Sequence, residues 1–421
     1  MKKVLIITYY WPPSGGPGVQ RILKFCKYLP QHGWEPTVLT SRNGEYPALD
    51  TSLINDVKSL KVEHVKGFSF FKLFKLLTGQ KKVSAHQLSS TKGDSFFSKL
   101  TRWIRYNLIF PDGKIGWYWS AVKKGKEILN DENYDLIFST SPPHTVHLVG
   151  KTLSKYSSLP WVCDFRDPWT DRFYYQENPR NKFISFLDSL LEQNVLKRCN
   201  HLTVVSPGFL ELLDSHWPIK SKSTIIYNGY DSDDFRGLKD ENNLDEFISI
   251  GHIGSLSKSQ NPIGLMRSIK DYNESNPPKK LLLKCIGSIH PDIEETIQAN
   301  QLGKSYEKMP YMNHDKAIEK MKEFDYLFLV IPDCVKNSGI IPGKIFEYFA
   351  SRSEIILIGN PDSDASKLMR KAGYTHIYDI NGNIDFSRMD VKKHFNHSAI
   401  EKYNRKNQTK ILANLFNSLI V

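Results

Sequence analysis

Short runs of apolar and β-branched residues alternate along this chain with longer segments whose apolar positions recur every three or four residues. Runs of the first kind at residues 4–10 (VLIITYY), 36–41 (PTVLTS), 134–139 (YDLIFS), 160–165 (PWVCDF), 201–206 (HLTVVS) and 223–227 (STIIY) predict buried strands. Residues 19–29 carry the helical period. After a polar stretch at 228–245 a second series opens, with runs at 247–253 (FISIGHI), 280–286 (KLLLKCI), 326–331 (YLFLVI) and 354–358 (EIILI). Strands alternating with helices predict an α/β chain of two doubly wound, parallel-sheet domains. In such sheets ligands bind at the carboxyl ends of the strands. The expected bounds are residues 1–235 and 246–398, followed by an amphipathic helix within 399–421.

One stretch breaks the rhythm. Residues 66–118 set Phe68, Phe70, Phe71, Phe74, Phe96, Phe97, Trp103 and Trp117, with Trp119 just beyond, among many lysines and arginines. A basic-aromatic insertion of this kind suits an anionic membrane surface, and an insertion with a solvated lysine face would read the same way.

Charge sharpens that picture. The 421 residues carry a net charge of +12, which points to anionic partners: nucleotide phosphates, acidic lipid headgroups or nucleic acid. The hydrophobic fraction of 40% is that of a globular protein. Cys26, Cys163, Cys199, Cys285 and Cys334 are scattered without a CxxC or Cys/His cluster, so reduced thiols, a cytoplasmic setting and no structural zinc are expected. The N-terminal MKKVLIITYYWPP ends in Trp-Pro-Pro rather than a cleavage site, so it reads as a first strand. No run of 18 apolar residues is present.

The densest candidate chemistry lies at residues 340–350, IIPGKIFEYFA. Pro342 and Gly343 break the chain, and Ile345, Phe346, Tyr348 and Phe349 predict a mostly buried helix. Lys344 falls in its first turn, where the helix dipole disfavours a cation, and Glu347 follows on the same face. A lysine beside helix-terminal N–H groups is a receptor for phosphate, and a carboxylate one turn deeper can accept from sugar hydroxyls. An ordinary i,i+3 ion pair is the plainer alternative.

Three further loops follow predicted strands. Residues 12–18 (PPSGGPG) would let the backbone approach a phosphate at Gly15 and Gly16. They lack the dinucleotide fingerprint, and no acidic residue ends the second strand. Ser141-Pro142-Pro143-His144 opens a helix with Ser141 as its expected cap. Asp164, Arg166 and Asp167 (DFRDPW) can bind acceptor hydroxyls or form an internal ion-pair network. Gly254-Ser255-Leu256-Ser257-Lys258 can receive a phosphate, or Lys258 can be a surface lysine. The pairs Asp231/Asp233 and Asp362/Asp364 read as turn residues rather than metal ligands.

Taken in order, VLIITYYWPPSGGPGVQRILKFCKYLPQHGWEPTVLT, IIYNGYDSDDF, GHIGSL and IIPGKIFEYFASRSEIILIG resemble the glycosyltransferases of family 4 over nearly the whole chain. SPPH and DFRDPW are similar to the members that build bacterial surface polysaccharides. The resemblance implies a GT-B fold of two facing Rossmann-like domains, with the last helix returning to the first. It implies that Gly15 and Gly16 approach the donor diphosphate and sugar, that Lys344 pairs with the diphosphate and that Glu347 binds the ribose. Backbone around Ser338, Gly339 and Ile340 would contact the donor sugar. Two family positions differ: the earlier of two glutamates is Gly339, and a glycine-arginine pair is Gly254-Ser255, its later basic position being Gln260 or served by Lys258.

The expectation is therefore a retaining glycosyltransferase that needs no metal and no cofactor. It would move a sugar from a nucleotide diphosphate donor to a glycan or polyprenyl-linked acceptor, peripherally at the inner face of the cell membrane and without nucleic acid. His144 and Asp164 are the candidates for acceptor-side catalysis, with Arg166 and Asp167 beside them. A GT-B epimerase or phosphorylase, or an inactive basic scaffold, would share most of these features.

Overall fold

A computed structural model describes residues 1–42, 44, 46, 49–68, 103, 107, 109–171, 180–238, 246–389 and 395–420. The chain divides into two compact units. The first comprises Met1–Val205, Leu210–Ile226 and Thr409–Val421, and the second Ser206–Phe209 with Tyr227–Gln408.

The N-terminal unit is built on seven strands: β1 (Lys2–Ile7), β2 (Trp34–Ser41), β3 (Lys61–Val65), β4 (Leu136–Thr140), β5 (Trp161–Phe165), β6 (His201–Val204) and β7 (Ser223–Ile225). Their order is β3-β2-β1-β4-β5-β6-β7, and every pairing is parallel. Central strands are buried on both faces, which is why Val4, Leu5, Ile6 and Ile7 form an unbroken apolar run with no exposed surface. The order reverses between β1 and β4, so the loops that follow those two strands flank the switch point.

Part of this unit's core arrives late in the chain. Leu412, Ala413 and Phe416, on the helix Arg405–Leu419, pack with Trp34 and Phe138. The Phe416 ring lies 5.2 Å from Trp34 and 5.5 Å from Phe138, both edge-on. Trp34 Nε1 also donates to Asn417 Oδ1 at 3.2 Å.

The C-terminal unit has six parallel strands: β8 (Phe247–Ile253), β9 (Lys280–Ile286), β10 (Tyr306–Met309), β11 (Tyr326–Val330), β12 (Glu354–Ile358) and β13 (Ile377–Tyr378). Their order is β10-β9-β8-β11-β12-β13, again with a switch, here between β8 and β11. Helix Lys344–Ser351 follows β11 and buries Ile345, Phe346, Tyr348 and Phe349 in the largest cluster of this unit. The Tyr348 hydroxyl accepts from the Ile253 N–H at 3.1 Å, which ties the helix to the end of β8.

Three strands, β3, β10 and β13, were not anticipated, and each is a sheet edge with no fully buried residue. The expected cap Ser141 is also corrected. The helix Thr145–Ser157 has His144 at its N-cap position without a side-chain cap, and Asp112 instead accepts from the Thr145 N–H and hydroxyl, both at 2.8 Å. Asp231 does act as a turn residue, its side chain accepting from the Asp233 N–H at 3.0 Å. Among the described residues no helix is long and apolar enough to cross a membrane.

Candidate active site

At the switch point of the C-terminal sheet, Lys344 Nζ and Glu347 Oε2 lie 3.4 Å apart, a loose pair one helical turn long. Glu347 is 8% exposed. Burial alone would raise its pKa, but the positive charges of Lys344, His314 and Arg405 outweigh it and hold the carboxyl below its ordinary value. Among the described residues Lys344 is its only hydrogen-bonding partner, so most of its acceptor capacity is open.

Opposite the lysine stands Gly254, with φ +141°. A Cβ placed there would lie 3.3 Å from Lys344 Cε and 3.6 Å from His252 Nε2. A Cβ at Gly287, the matching position after β9, would meet the Gly254 carbonyl oxygen at 2.4 Å. The two glycines thus keep the ends of β8 and β9 close and keep a side chain from crowding Lys344.

Ser338 and Gly339 belong to a short 3-10 turn, Asn337–Gly339, and the Ile340 N–H donates back to Asn337 at 3.0 Å. The glycine at 339 has a packing cause. A Cβ there would come within 2.7 Å of Gly208 C and Phe209 N. Ser255 is exposed and lies beside Gly254. Lys258, a candidate for phosphate or a plain surface lysine, carries its ammonium on the open surface, where it pairs with Asp292 at 3.0 Å. Gln260 is likewise engaged, accepting from the Ser257 N–H at 3.1 Å and donating to the Val330 carbonyl at 3.0 Å.

In the N-terminal unit the loop after β1 holds Gly15 and Gly16, and Gly16 takes φ +90° at the start of the helix Pro17–Tyr28. Arg166, expected on the acceptor side, binds backbone through two nitrogens, while its buried Nη2 has no hydrogen-bond partner among the described residues. Its Nη1 donates to Gly18 O at 2.7 Å and its Nε to Ser141 O. It therefore pins the first turn of the helix Pro17–Tyr28 to the loop after β4. Asp167 is exposed.

Asp164 sits in an internal ion-pair network, the second of the two readings its sequence allows. It has no exposed surface, and Arg21 reaches it through Nε at 3.1 Å and Nη2 at 2.8 Å. Thr140 and Thr203 donate to the same carboxylate at 2.7 and 2.6 Å. Burial raises its pKa, yet Arg21, Arg166 and the Thr203 hydroxyl hold it below the ordinary value. Its acceptor positions are filled from within the protein, which suits an anchoring role. His144 is fully buried and stacks on Trp169 at 4.8 Å. Behind it His147 shares Ser139 Oγ with Trp161, and burial pushes its imidazole down to about 3.

Of the basic-aromatic insertion, Phe70, Phe71, Phe74, Phe96 and Phe97 lie outside the described residues. Trp117 is core at 1% exposure, whereas Phe68, Trp103 and Trp119 are exposed. Sequence reading missed a second apolar surface, Phe183, Phe186 and Leu190, which form an exposed stripe at i, i+3 and i+7 on the helix Lys182–Arg198.

Two parallel-sheet α/β units, each with a topological switch point, are the architecture of the GT-B fold. The chain belongs to glycosyltransferase family 4, whose family model matches residues 18–234, just over half of its length. Among solved structures it is similar to Anabaena HepE in complex with UDP and glucose, with TM-score 0.62 and 13% identity over 100% of both chains. A glycosyltransferase from Rickettsia africae gives TM-score 0.60 at 13% identity over 99% of this chain and 98% of that one. A variant of S. aureus TarM in complex with fondaparinux, α-GlcNAc-glycerol and UDP gives 0.57 at 12% identity, covering 99% and 100%. No curated protein sequence matches the chain.

Proposed function

We propose that this enzyme transfers a sugar, with retention and without a metal, from a nucleotide diphosphate sugar to a glycan or lipid-linked acceptor of a surface polysaccharide. One observation carries the reading: a lysine at a helix start, facing a glycine that leaves it open, with a buried carboxylate of unfilled capacity behind it. Glu347 would take the ribose hydroxyls. As the bond from the sugar's anomeric carbon to the diphosphate oxygen breaks, its electron pair moves onto the diphosphate. Lys344 and the N–H groups at the helix start would stabilise that charge, which is where a preorganised cation lowers a barrier most. Gly15 and Gly16 keep the donor-side role that the family resemblance gives them. Buried in an aromatic stack, His144 is better suited to shaping the acceptor side than to carrying protons.

The membrane-surface part of the proposal is supported by the +12 charge, by exposed Trp103 and Trp119, and by the Phe183–Phe186–Leu190 stripe, whose helix also carries Lys182, Lys197 and Arg198. One preparation tests both parts. Turnover of UDP- or GDP-sugars should persist in EDTA and give a product with the donor's anomeric configuration. Loss in EDTA with recovery on adding manganese would overturn the metal-free mechanism. The protein should sediment with anionic vesicles at low salt and should do so less after Phe183→Ser and Phe186→Ser. Equal sedimentation with neutral vesicles would remove the charge argument.

A further inference from the structure

His252 stands at the end of β8, two residues before Gly254, and sequence reading gave it no role. The imidazole is 5% exposed. Its Nδ1 lies 3.1 Å from the carbonyl oxygen of Phe328 on β11. A carbonyl can only accept, so the proton sits on Nδ1 and Nε2 is left as a bare acceptor. That nitrogen is buried, and among the described residues nothing donates to it. A buried acceptor without a donor is costly, so one that persists points to a partner that comes and goes.

Its direction is fixed by Gly254. The Cβ position of that residue lies 3.6 Å from His252 Nε2 and 3.3 Å from Lys344 Cε, so one small space borders both side chains. The lysine has a weak hold elsewhere, since its 3.4 Å separation from Glu347 is longer than a good charge-assisted bond of about 2.8 Å.

We propose that His252 is a positioning residue for Lys344, its Nε2 accepting a hydrogen bond from the lysine ammonium when a nucleoside diphosphate fills the site. This deepens the donor-site reading above and rests on it. Ribose hydroxyls would draw on Glu347 and loosen the i,i+3 pair. The ammonium carries three N–H donors, so it can give one to His252 and keep the others for phosphate oxygens. A neutral acceptor suits this task better than a second carboxylate, because it orients the cation without cancelling the charge that the diphosphate needs. Burial, with the charge of Lys344 adding to it, pushes the imidazole down to about 4, so Nε2 stays unprotonated at neutral pH. The glycine at 254 completes the arrangement, because a side chain there would stand between the two groups.

The test is titration calorimetry of UDP and GDP with the full chain, its His252 variants and the same variants carrying Lys344→Ala. His252→Asn keeps a donor where Nδ1 meets Phe328 but places nothing at Nε2, whereas His252→Gln can bring an amide oxygen to the Nε2 position. We expect His252→Asn to weaken binding by about tenfold or more, the worth of one hydrogen bond to a charged group, and His252→Gln to recover most of it. In the Lys344→Ala background His252→Asn should cost nothing further, since the partner is gone. Thermal unfolding without nucleotide checks that each variant is folded. If affinity is unchanged in His252→Asn, or falls as much when Lys344 is absent, the positioning role is overturned while the site survives. Unchanged affinity in Lys344→Ala itself would overturn the site, and the role of His252 with it.

Discussion

Asp164 and Glu347 are both buried carboxylates, both held ionised by nearby cations, and each belongs to one of the two sheets' carboxyl ends. They differ in how full they are. Asp164 accepts four bonds of 2.6 to 3.1 Å from Arg21, Thr140 and Thr203, which leaves nothing for a ligand. Glu347 has one long contact to a lysine that is itself ready to turn elsewhere. A saturated buried charge holds a fold together. An unsaturated one has acceptor capacity to spare for a ligand.

The strongest way to break this comparison is to neutralise the saturated group. Asp164→Asn removes the negative half of the buried pair with Arg21, and breaking such a pair costs about 3–5 kcal/mol. Urea unfolding should show that loss directly; a variant as stable as the wild type would mean the network is not an anchor. Glu347→Gln should do the reverse, leaving the unfolding midpoint nearly unchanged while weakening UDP or GDP binding by about 1.5–3 kcal/mol. Equal effects of the two changes on stability would erase the distinction.

The buried imidazoles extend the contrast to pH. His147 and His252 are pushed from 6.5 down to about 3 and about 4 by burial. The unfolded chain therefore takes up protons at these positions as pH drops below 6.5, and the folded chain does not. Stability is full above that pH and falls on acidification, by about 1.4 kcal/mol per pH unit for each histidine until its folded pKa is reached. Denaturant midpoints measured from pH 7 to pH 4.5 should show this slope, and His252→Gln should flatten it. The smallest effect belongs to Lys258→Ala. Its exposed pair with Asp292 should contribute nothing measurable to stability, and nucleotide affinity should drop much less than in Lys344→Ala.

What the sequence disclosed divides along physical lines. Strands buried on both faces, such as β1 and β12, stand out as apolar runs, and Lys344 and Glu347 lie within one helical turn of each other. Edge strands β3, β10 and β13 bury too little to leave a period. Roles set by distant partners were also hidden. Arg21 meets Asp164 across 143 positions and Asp112 caps its helix across 33, so no local pattern marks either. The pairing of Lys258 was hidden for a similar reason, because Asp292 lies on another element. His252 sits inside a strand run whose neighbours are apolar, and only the placement of its two nitrogens distinguishes it from a core residue.

The helix Arg405–Leu419 has a consequence for how the protein is made. On the ribosome, residues 1–226 leave the exit tunnel with Trp34 and Phe138 still lacking the ring of Phe416. Everything from residue 227 to 408 must be synthesised before that ring appears, a wait of roughly ten to forty seconds at ordinary translation rates. During it the nascent first unit displays an apolar slot, a natural resting place for a chaperone. The same slot would make a fragment ending at residue 226 prone to clump, unless a peptide spanning residues 405–420 is supplied alongside it.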